Sequence, residues 1–405
     1  MFFIGEDPPA GTIPIAEITQ PHDAPPEVPI EEDDPFVILY TSGTTGRSKG
    51  CITTHRGTIA QVTGILFSNL VGAATSGRSL LPSEGAQPAG LFTSPLFHVG
   101  GLHSVVCTQM SIGAKLVFSA GKFDAEECMR LIQDEKISIW SAIPTMLHRV
   151  VHHPKVGDYD LSTLKGISFG GAPTAPETID KAREVLPIEP SFANAYGLTE
   201  THGVATMNGG KDLLAKKTSA GRPLPILDVK IVDPEGKEVP DGQLGELVIY
   251  GPTITPGYWN RPDATAETVV EGWLQSGDLG YRDADGFLFV VDRAKDMILR
   301  GGENVYCTEI ENCLADHPEI DEAAVVGVSD AELGERVKAI VRRVPGSTLS
   351  DAGVRKHVAA HMASFKVPEF VEFTEELLPR NAAGKLLKNA LRGKGAVPFD
   401  TKNLG

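Results

Sequence analysis

Basic residues are in short supply in this sequence. The 405 residues include 37 Lys and Arg against 53 Asp and Glu, which gives a formal net charge of −16. Binding to duplex nucleic acid requires a basic face, so this deficit excludes nucleic acid as the main partner. It also means that an anionic substrate must be held by cations placed locally rather than by the field of the whole protein.

Cysteine is also scarce. The five cysteines are odd in number, scattered, and without CxxC or Cys/His spacing: Cys51, Cys107, Cys128, Cys307 and Cys313. We therefore expect free thiols in a reducing, cytoplasmic compartment, and we expect no metal ligation by cysteine.

Long uninterrupted apolar runs are missing as well. Residues 85–114 contain no Asp, Glu, Lys or Arg, but prolines, glycines and polar residues break the interval repeatedly. We expect no transmembrane segment there; the interval fits buried core or the wall of an apolar pocket. Residues 1–35 are acidic and Pro-rich and lack a basic segment followed by an apolar core. They are expected to form an extended lead-in and no signal peptide.

The length exceeds that of a single hydrophobic core, so two or more domains are expected. From residue 36 onward, strand-like and helix-like segments alternate, which predicts an α/β sheet with crossover helices. Between about residues 221 and 294, strands separated by Asp-Pro and Asp-Gly turns indicate a β-rich subdomain. We therefore predict a large domain over residues 36–294 and a small α+β domain over residues 295–405.

A loop rich in hydroxyls and glycines, TSGTTGRSKG at residues 41–50, follows an apolar run at residues 36–40 that is typical of a buried strand. Glycines let backbone amides close around an anion, hydroxyls add donors, and Lys49 supplies positive charge. The loop is not a Walker A motif, because Ser48 rather than Gly precedes Lys49. We predict phosphate contact here; a plain Gly/Ser/Thr turn is the alternative.

Further stretches carry residues suited to ligand chemistry. They read SPLFHVGG (94–101), SFGGAP (168–173), NAYGLTE (194–200), WLQSGD (273–278), DRAKD (292–296), LRGGENVY (299–306) and PRNAAGK (379–385). Small residues at the carboxyl end of a strand form the usual ligand crevice of an open α/β sheet. The carboxylate of Glu200 suits a hard divalent cation, and the aromatic face of Tyr196 suits a flat base.

Together with the loop, these stretches resemble the motifs of the acyl-adenylate-forming superfamily, which includes acyl-CoA synthetases. Ser48 stands where that family usually has Pro. The resemblance spans about residues 36–388 and implies a large N-terminal α/β domain with a β-rich subdomain, followed by a small mobile α+β C-terminal domain. Family members carry a substantial portion before the loop, so the short stretch before Tyr40 implies that the N-terminal part of the large domain is lacking.

The resemblance also implies a role for each matching residue. The implied ATP contacts are Thr41, Ser42, Gly43, Thr44, Thr45, Gly46, Lys49, Gly170, Gly171, Ala172, Asn194, Tyr196, Gly197, Asp278 and Arg293. The implied catalytic residues are Thr199 at the α-phosphate, Glu200 as the Mg²⁺ ligand, and Lys385 as a mobile lysine, with Lys295 as the interdomain hinge. The implied acyl and CoA contacts are His98, Gly100, Gly301 and Gly302.

The implied reaction is ATP-dependent activation of a carboxylic acid to acyl-AMP, followed by transfer to CoA after the small domain rotates. ATP and Mg²⁺ are the implied cofactors, and CoA is the co-substrate. The small residues near His98 favour a fatty acid or another apolar monocarboxylate. Adenylation for a carrier-protein thiol, and a truncated nucleotide-binding protein without turnover, are alternatives. A homodimer is left open.

Overall fold

The computed structural model describes residues 27–41, 48–76, 87–119, 121–171, 174–186, 192–380 and 386–392, together with the backbone of two short strands near the N-terminus. Those two strands, β1 (Phe2–Phe3) and β2 (Ile13–Pro14), pair in parallel. An antiparallel hairpin follows, built from β3 (Pro35–Thr41) and β4 (Lys49–Thr54). The long helix α1 (His55–Ser76) comes directly after it.

The expectation of a buried strand over residues 36–40 is wrong in one respect. The strand exists as β3, but of these five residues only Leu39 is buried, and Tyr40 is 68% exposed. The reason is that β3 pairs with β4 alone among the described strands and lies outside the larger sheets. Apolar periodicity predicts the strand, whereas its burial depends on what packs against it.

From the sequence, only residues 85–114 were considered as a possible membrane span, and helix α1 was overlooked. Among the described residues, His55–Thr75 is long and apolar enough to cross a membrane, a test that the core helix of a soluble protein also passes. One side of α1 packs on the protein: Ile65 joins an apolar core, and Gln61 Nε2 donates to Ser104 Oγ at 3.2 Å. The interval 85–114, by contrast, divides into a strand, a π-helix and a short α-helix.

The largest sheet follows α1 and has the strand order β11-β10-β9-β8-β7-β5-β6. Its strands are β5 (Ala89–Phe92), β6 (Lys115–Phe118), β7 (Ile139–Ala142), β8 (Gly166–Gly170), β9 (Phe192–Leu198), β10 (Gly203–Gly209) and β11 (Arg222–Pro223). Five neighbouring strands of this sheet are parallel to one another: β6, β5, β7, β8 and β9. Strands β10 and β11 are antiparallel to their neighbours. This open α/β sheet confirms the predicted fold class.

Helices connect the parallel strands. A π-helix (Gly100–Cys107) runs into α2 (Thr108–Ser111), and α3 (Ala125–Asp134), α4 (Pro144–Val151) and α5 (Pro176–Val185) follow. A further helix, α6 (Gly210–Ala215), lies between the antiparallel strands β10 and β11. Helices α4 and α5 begin at a proline, which is tolerated in the first turn because the N–H it removes has no partner within the helix. Their apolar faces cover Trp140 and Ile167 of the sheet, which are fully buried. Each such side chain stabilises the fold by about 1.5–3 kcal/mol.

A second, antiparallel sheet forms the β-rich part of the chain. It consists of β12 (Asp228–Val232), β13 (Gly245–Tyr250), β14 (Val269–Val270), β15 (Trp273–Arg282) and β16 (Leu288–Arg293), with helix α7 (Pro262–Thr268) beside β14. In the pairing of β15 with β16, Asp278 stands opposite Arg293. Two residues of the predicted site therefore become neighbours through strand register.

The last part of the chain forms a separate α+β unit with its own core. Its strands are β17 (Ile298–Arg300), β18 (Glu303–Val305), β19 (Ile320–Asp330), β20 (Gly334–Arg343) and β21 (Phe370–Thr374). Its helices are α8 (Cys307–Ala315), α9 (Asp351–His361) and α10 (Lys388–Arg392). Asp292, at the end of β16, accepts from the backbone N–H of Cys307 at 2.6 Å, so its carboxylate satisfies the first turn of α8.

Candidate active site

A cleft of about 2210 Å³ lies where the carboxyl ends of β7, β8 and β9 approach the β-rich sheet and the C-terminal tail. Many of the predicted site residues line it: Thr41, Lys49, His98, Gly100, Gly170, Gly171, Tyr196, Gly197, Thr199, Glu200, Arg293 and Lys295. A pocket for one drug-sized ligand measures roughly 300–1,000 Å³, so this cleft has room for more than one molecule.

The other predicted residues fall into two groups. Asn194, Asp278, Gly301 and Gly302 are described but do not line the cleft. Gly301 and Gly302 form an exposed turn between β17 and β18. The predictions on Ser42, Gly43, Thr44, Thr45, Gly46, Ala172 and Lys385 lie outside the described residues.

Asp278 lies directly behind the cleft and organises two residues that line it. Its Oδ2 accepts a hydrogen bond from the Tyr196 hydroxyl at 2.6 Å, and its Oδ1 lies 3.0 Å from Arg293 Nε. Burial and the negative charge of Asp278 raise the pKa of Tyr196 well above its ordinary value, so the phenol keeps its proton and donates. The buried carboxylate is thereby neutralised, and the Tyr196 ring is held in one orientation at the cleft wall.

A second cluster joins Glu200 to a residue that the sequence did not single out. The Tyr258 hydroxyl donates to Glu200 Oε1 at 2.5 Å, and Lys49 Nζ lies 4.9 Å from the centre of the Tyr258 ring. Burial, followed by the charge of Glu200, raises the pKa of Tyr258, so it remains a donor. No signal in the sequence distinguishes Tyr258 from a core tyrosine, because its partner lies 58 positions away.

Asn194, one of the implied ATP contacts, does not line the cleft. Its Nδ2 donates to the Ser219 carbonyl at 3.3 Å. This bond links β9 to the turn before β11. The side chain is therefore engaged with the protein's own backbone in this structure.

The glycines beside His98 are not equivalent. The Gly100 backbone N–H donates to His98 Nδ1 at 3.2 Å, which ties the ring to the start of the π-helix. A Cβ added at Gly101 would lie 2.3 Å from the Pro95 carbonyl oxygen, so the close backbone approach requires glycine there. A Cβ at Gly100 would meet only the His98 ring, at 3.3 Å. Gly100 is thus the position where the wall can be changed without disturbing the backbone.

The C-terminal tail closes one side of the cleft. Residues 386–389 line it together with Lys295 and Asp296. Arg392 Nη2 donates to the Lys295 carbonyl at 3.3 Å, and Lys388 forms an ion pair with Glu311 at 2.9 Å. The residues that directly follow Lys385 in sequence are therefore anchored at the cleft.

A buried histidine connects the β3–β4 hairpin to the turn that carries Glu200. His202 Nε2 accepts from the Thr54 N–H at 2.8 Å, and its Nδ1 donates to the Thr253 carbonyl at 2.6 Å. The carbonyl of His202 in turn accepts from His103 Nδ1 at 3.2 Å. Burial lowers the pKa of both imidazoles from 6.5 to about 4, and for His202 the neighbouring His103 adds to the effect.

This pair predicts loss of stability in acid. Between pH 4 and pH 6.5 these two imidazoles bind more protons in the unfolded chain than in the folded protein. Their contribution to the free energy of unfolding is therefore complete above about pH 6.5 and is lost as the pH falls toward 4. We expect each imidazole to lower the free energy of unfolding by about 2 kcal/mol between about pH 7 and pH 5. Urea denaturation at both pH values measures this. His103→Gln should reduce the loss by about half, the exposed His152→Ala should not, and an unchanged loss in His103→Gln would contradict the assignment.

The fold and the cleft together define a class of protein. An open α/β sheet, a β-rich subdomain and a small α+β unit that meet around one cleft are the arrangement of adenylate-forming enzymes. The chain belongs to the AMP-binding enzyme family: the family's profile matches residues 4–259, and the profile of its C-terminal domain matches residues 309–385. It is an acid–thiol ligase of the AMP-forming acyl-CoA synthetase type.

Similar proteins agree with this assignment. The chain is 36% identical to a feruloyl-CoA synthase from Amycolatopsis sp over 94% of its own length and 74% of that protein. It is 38% identical to the fatty acid–[acyl-carrier-protein] ligase ScoC of Streptomyces coeruleorubidus, over 93% of the chain and 69% of the relative. Among solved structures, O-succinylbenzoate coenzyme A synthetase (MenE) from Bacillus subtilis, in complex with ATP and magnesium ion, is 29% identical with a TM-score of 0.80. That match covers 94% of this chain and 75% of the other.

Proposed function

We propose that the protein activates a fatty acid or another apolar monocarboxylate with ATP and transfers the acyl group to CoA. The observation that carries the proposal is the convergence of Lys49, the Glu200–Tyr258 pair and the Tyr196–Asp278–Arg293 cluster on one cleft. These groups suit the three parts of a magnesium–ATP complex: the phosphates, the divalent cation and the nucleoside.

In the first half-reaction, a carboxylate oxygen of the acid attacks the α-phosphorus of ATP. The bond from that phosphorus to the bridging oxygen breaks, pyrophosphate leaves, and acyl-AMP remains. Both reactants are anions, so the barrier is largely electrostatic, and the protein acts by positioning and by charge neutralisation. Lys49 and the loop before it are assigned to the phosphates, Thr199 to the α-phosphate, and Lys385 to oxygens of both reactants.

Glu200 fits the role of a magnesium ligand. Its carboxylate lines the cleft, and Tyr258 holds one oxygen through a neutral hydroxyl, which leaves the negative charge uncompensated by a cation at that contact. Hard divalent cations prefer such oxygen ligands together with phosphate oxygens. When bound, Mg²⁺ would offset the charge of the departing pyrophosphate.

In the second half-reaction, the sulfur of CoA attacks the acyl carbonyl, the bond to the AMP oxygen breaks, and the thiol proton is released. In the structure, residues 386–389 lie at the cleft while the Gly301–Gly302 turn is exposed elsewhere. We assign this arrangement to adenylate formation. Rotation about Lys295 would then exchange the tail for the glycine turn, which requires only a few residues to absorb the change in dihedral angles.

The acyl group is assigned to the part of the cleft beside His98 and the π-helix. Val99, Val105 and Ile143 supply apolar surface there, and Gly100 leaves room beside the His98 ring. Two of the similar proteins are named for ferulate and for fatty acids, which are both monocarboxylates with large apolar portions. This supports the chemical class and leaves the choice between an aromatic and an aliphatic acid to experiment.

Reducing the space beside the His98 ring should change the selectivity among carboxylic acids. In Gly100→Ala the new methyl group contacts only the His98 ring, so the variant should fold. We expect kcat/KM for the largest accepted acids to fall roughly tenfold, whereas short acids are spared, because one methyl-sized change in an apolar pocket is worth about 1–3 kcal/mol. A chain-length series measures the effect. Gly101→Ala is the control: its Cβ would clash with the Pro95 backbone, so the fold should be destabilised and activity should fall for every acid alike. An equal fall in kcat/KM for all acids in Gly100→Ala would place the acyl group elsewhere.

The proposal as a whole is tested by AMP release. Purified protein is incubated with ATP, Mg²⁺ and short, medium, long and aromatic acids, with and without CoA. We expect pyrophosphate release with at least one apolar acid and CoA-dependent production of AMP with the same acid. Binding of ATP without pyrophosphate release for any acid would favour a nucleotide-binding protein without turnover.

A carrier-protein thiol is a second candidate acceptor, because the 38% identical relative ScoC is named as a ligase for an acyl-carrier protein. CoA and a carrier protein present the same phosphopantetheine arm, so the cleft chemistry suits both. Supplying pre-formed acyl-AMP with either CoA or a phosphopantetheinylated carrier separates them. Consumption of CoA at a higher kcat/KM supports the CoA ligase, and the reverse supports the alternative.

A further inference from the structure

We propose that Cys313, His357 and His361 form a zinc-binding site that ties helix α8 to helix α9 in the C-terminal unit. One donor atom from each side chain lies within 4.8 Å of the others. A tetrahedral zinc ion with Zn–S of about 2.3 Å and Zn–N of about 2.0 Å brings its ligand atoms somewhat closer together than this. Side-chain rotation must therefore close the site around the ion, and water takes the fourth position.

Each of the two histidines has one ring nitrogen held by a backbone carbonyl. His357 Nε2 faces the Cys313 carbonyl at 2.8 Å, and His361 Nδ1 faces the His357 carbonyl at 2.8 Å. A carbonyl can only accept, so each of these nitrogens carries the ring proton, and in the neutral ring the other nitrogen keeps its lone pair. In metal-binding histidines the tautomer is commonly fixed by such a hydrogen bond from the ring to a carbonyl.

The helices give the site a rigid base. His357 and His361 are four residues apart, so they lie on the same face of α9. Leu314 of α8 and Val358 of α9 belong to one buried core, which holds the two helices together. Cys313 is 8% exposed and His361 is exposed, so the site lies at the surface and is open to a metal from solution.

The donor set selects the type of metal. A thiolate with two imidazoles suits Zn²⁺, whereas Mg²⁺ prefers oxygen ligands, so this site would not compete for the cation assigned to Glu200. A thiol ligates zinc as a thiolate, so the metal must displace the proton of Cys313 as it binds. The proposal therefore departs from the sequence-based expectation that no cysteine ligates a metal.

Zinc and cobalt binding to the metal-free full-length protein test the proposal. Competition with a chromophoric chelator should reveal one tight Zn²⁺ site, and Co²⁺ should give a thiolate charge-transfer band in the near ultraviolet. Cys313→Ser should abolish the band, and both Cys313→Ser and His361→Ala should weaken Zn²⁺ binding by about tenfold or more. Circular dichroism checks that the variants fold.

Two control variants make the result specific. His152→Ala removes an exposed histidine that directly follows helix α4 and whose Nδ1 contacts the carbonyl four residues earlier, as His361 Nδ1 does. Cys107→Ser removes another free thiol that is not fully buried. Both should bind Zn²⁺ and Co²⁺ like the wild type. Absence of a tight Zn²⁺ site in the wild type, or wild-type affinity in either Cys313→Ser or His361→Ala, overturns the assignment.

Discussion

Replacing Lys385 by Ala is expected to lower the rate of acyl-AMP formation by roughly 10²–10³-fold, the usual loss when one group that stabilises developing charge is removed. Transfer from supplied acyl-AMP to CoA should be nearly unchanged. The structural basis is the tail: residues 386–389 line the cleft, and Arg392 anchors them through the Lys295 carbonyl. ATP–pyrophosphate exchange measures the first half-reaction, and CoA consumption from acyl-AMP measures the second.

Lys295→Pro is the matched comparison for this prediction. Proline fixes φ near −65° and should hinder rotation at the proposed hinge, so we expect loss of the second half-reaction with the first largely retained. The two variants together form a double dissociation. Equal loss of both half-reactions in both variants would mean that the small domain does not alternate between two positions.

The second large effect is expected at Glu200. Glu200→Gln keeps the shape of the side chain and its contact with the Tyr258 hydroxyl but removes the charge assigned to Mg²⁺. We expect acyl-AMP formation to fall roughly 10²–10³-fold and the Mg²⁺ concentration for half-maximal rate to rise. A Mg²⁺ titration of the pyrophosphate-exchange rate checks both effects.

Tyr258→Phe is the control for Glu200→Gln. It removes the hydrogen bond to the carboxylate and leaves the charge, so the loss should be smaller, about tenfold, and the Mg²⁺ requirement should change little. If Tyr258→Phe and Glu200→Gln lose activity to the same extent, the position of the carboxylate matters more than its charge. An unchanged rate in Glu200→Gln would remove Glu200 from the magnesium site altogether.

Local sequence signals mark many of the elements in this structure. Helices Pro144–Val151 and Pro176–Val185 both begin at a proline, and strand Gly245–Tyr250 lies in the part of the chain that was predicted to be β-rich. Proline at the first turn and the period of apolar residues act over a few positions, so a single sequence contains this information. The ordered motifs likewise predicted the family, because their residue types and spacing are specific as a set.

Burial and long-range pairing could not be predicted in the same way. The run at residues 36–40 reads as a core strand, yet Tyr40 is largely exposed because β3 pairs only with β4 among the described strands. The membrane argument weighed residues 85–114 and overlooked helix α1. In both cases the outcome depends on which surfaces the rest of the chain places nearby.

The sequence by itself determined the family, the open α/β sheet and the residue types that ligand chemistry needs, since these follow from local spacing. Only the tertiary structure decided which of those residues meet. The Tyr258 hydroxyl reaches Glu200, and Cys313 lies beside His357, because sheet register and helix packing bring together positions that are far apart in the chain. The sequence specifies the chemical type of each side chain, whereas the fold determines which other side chain it contacts.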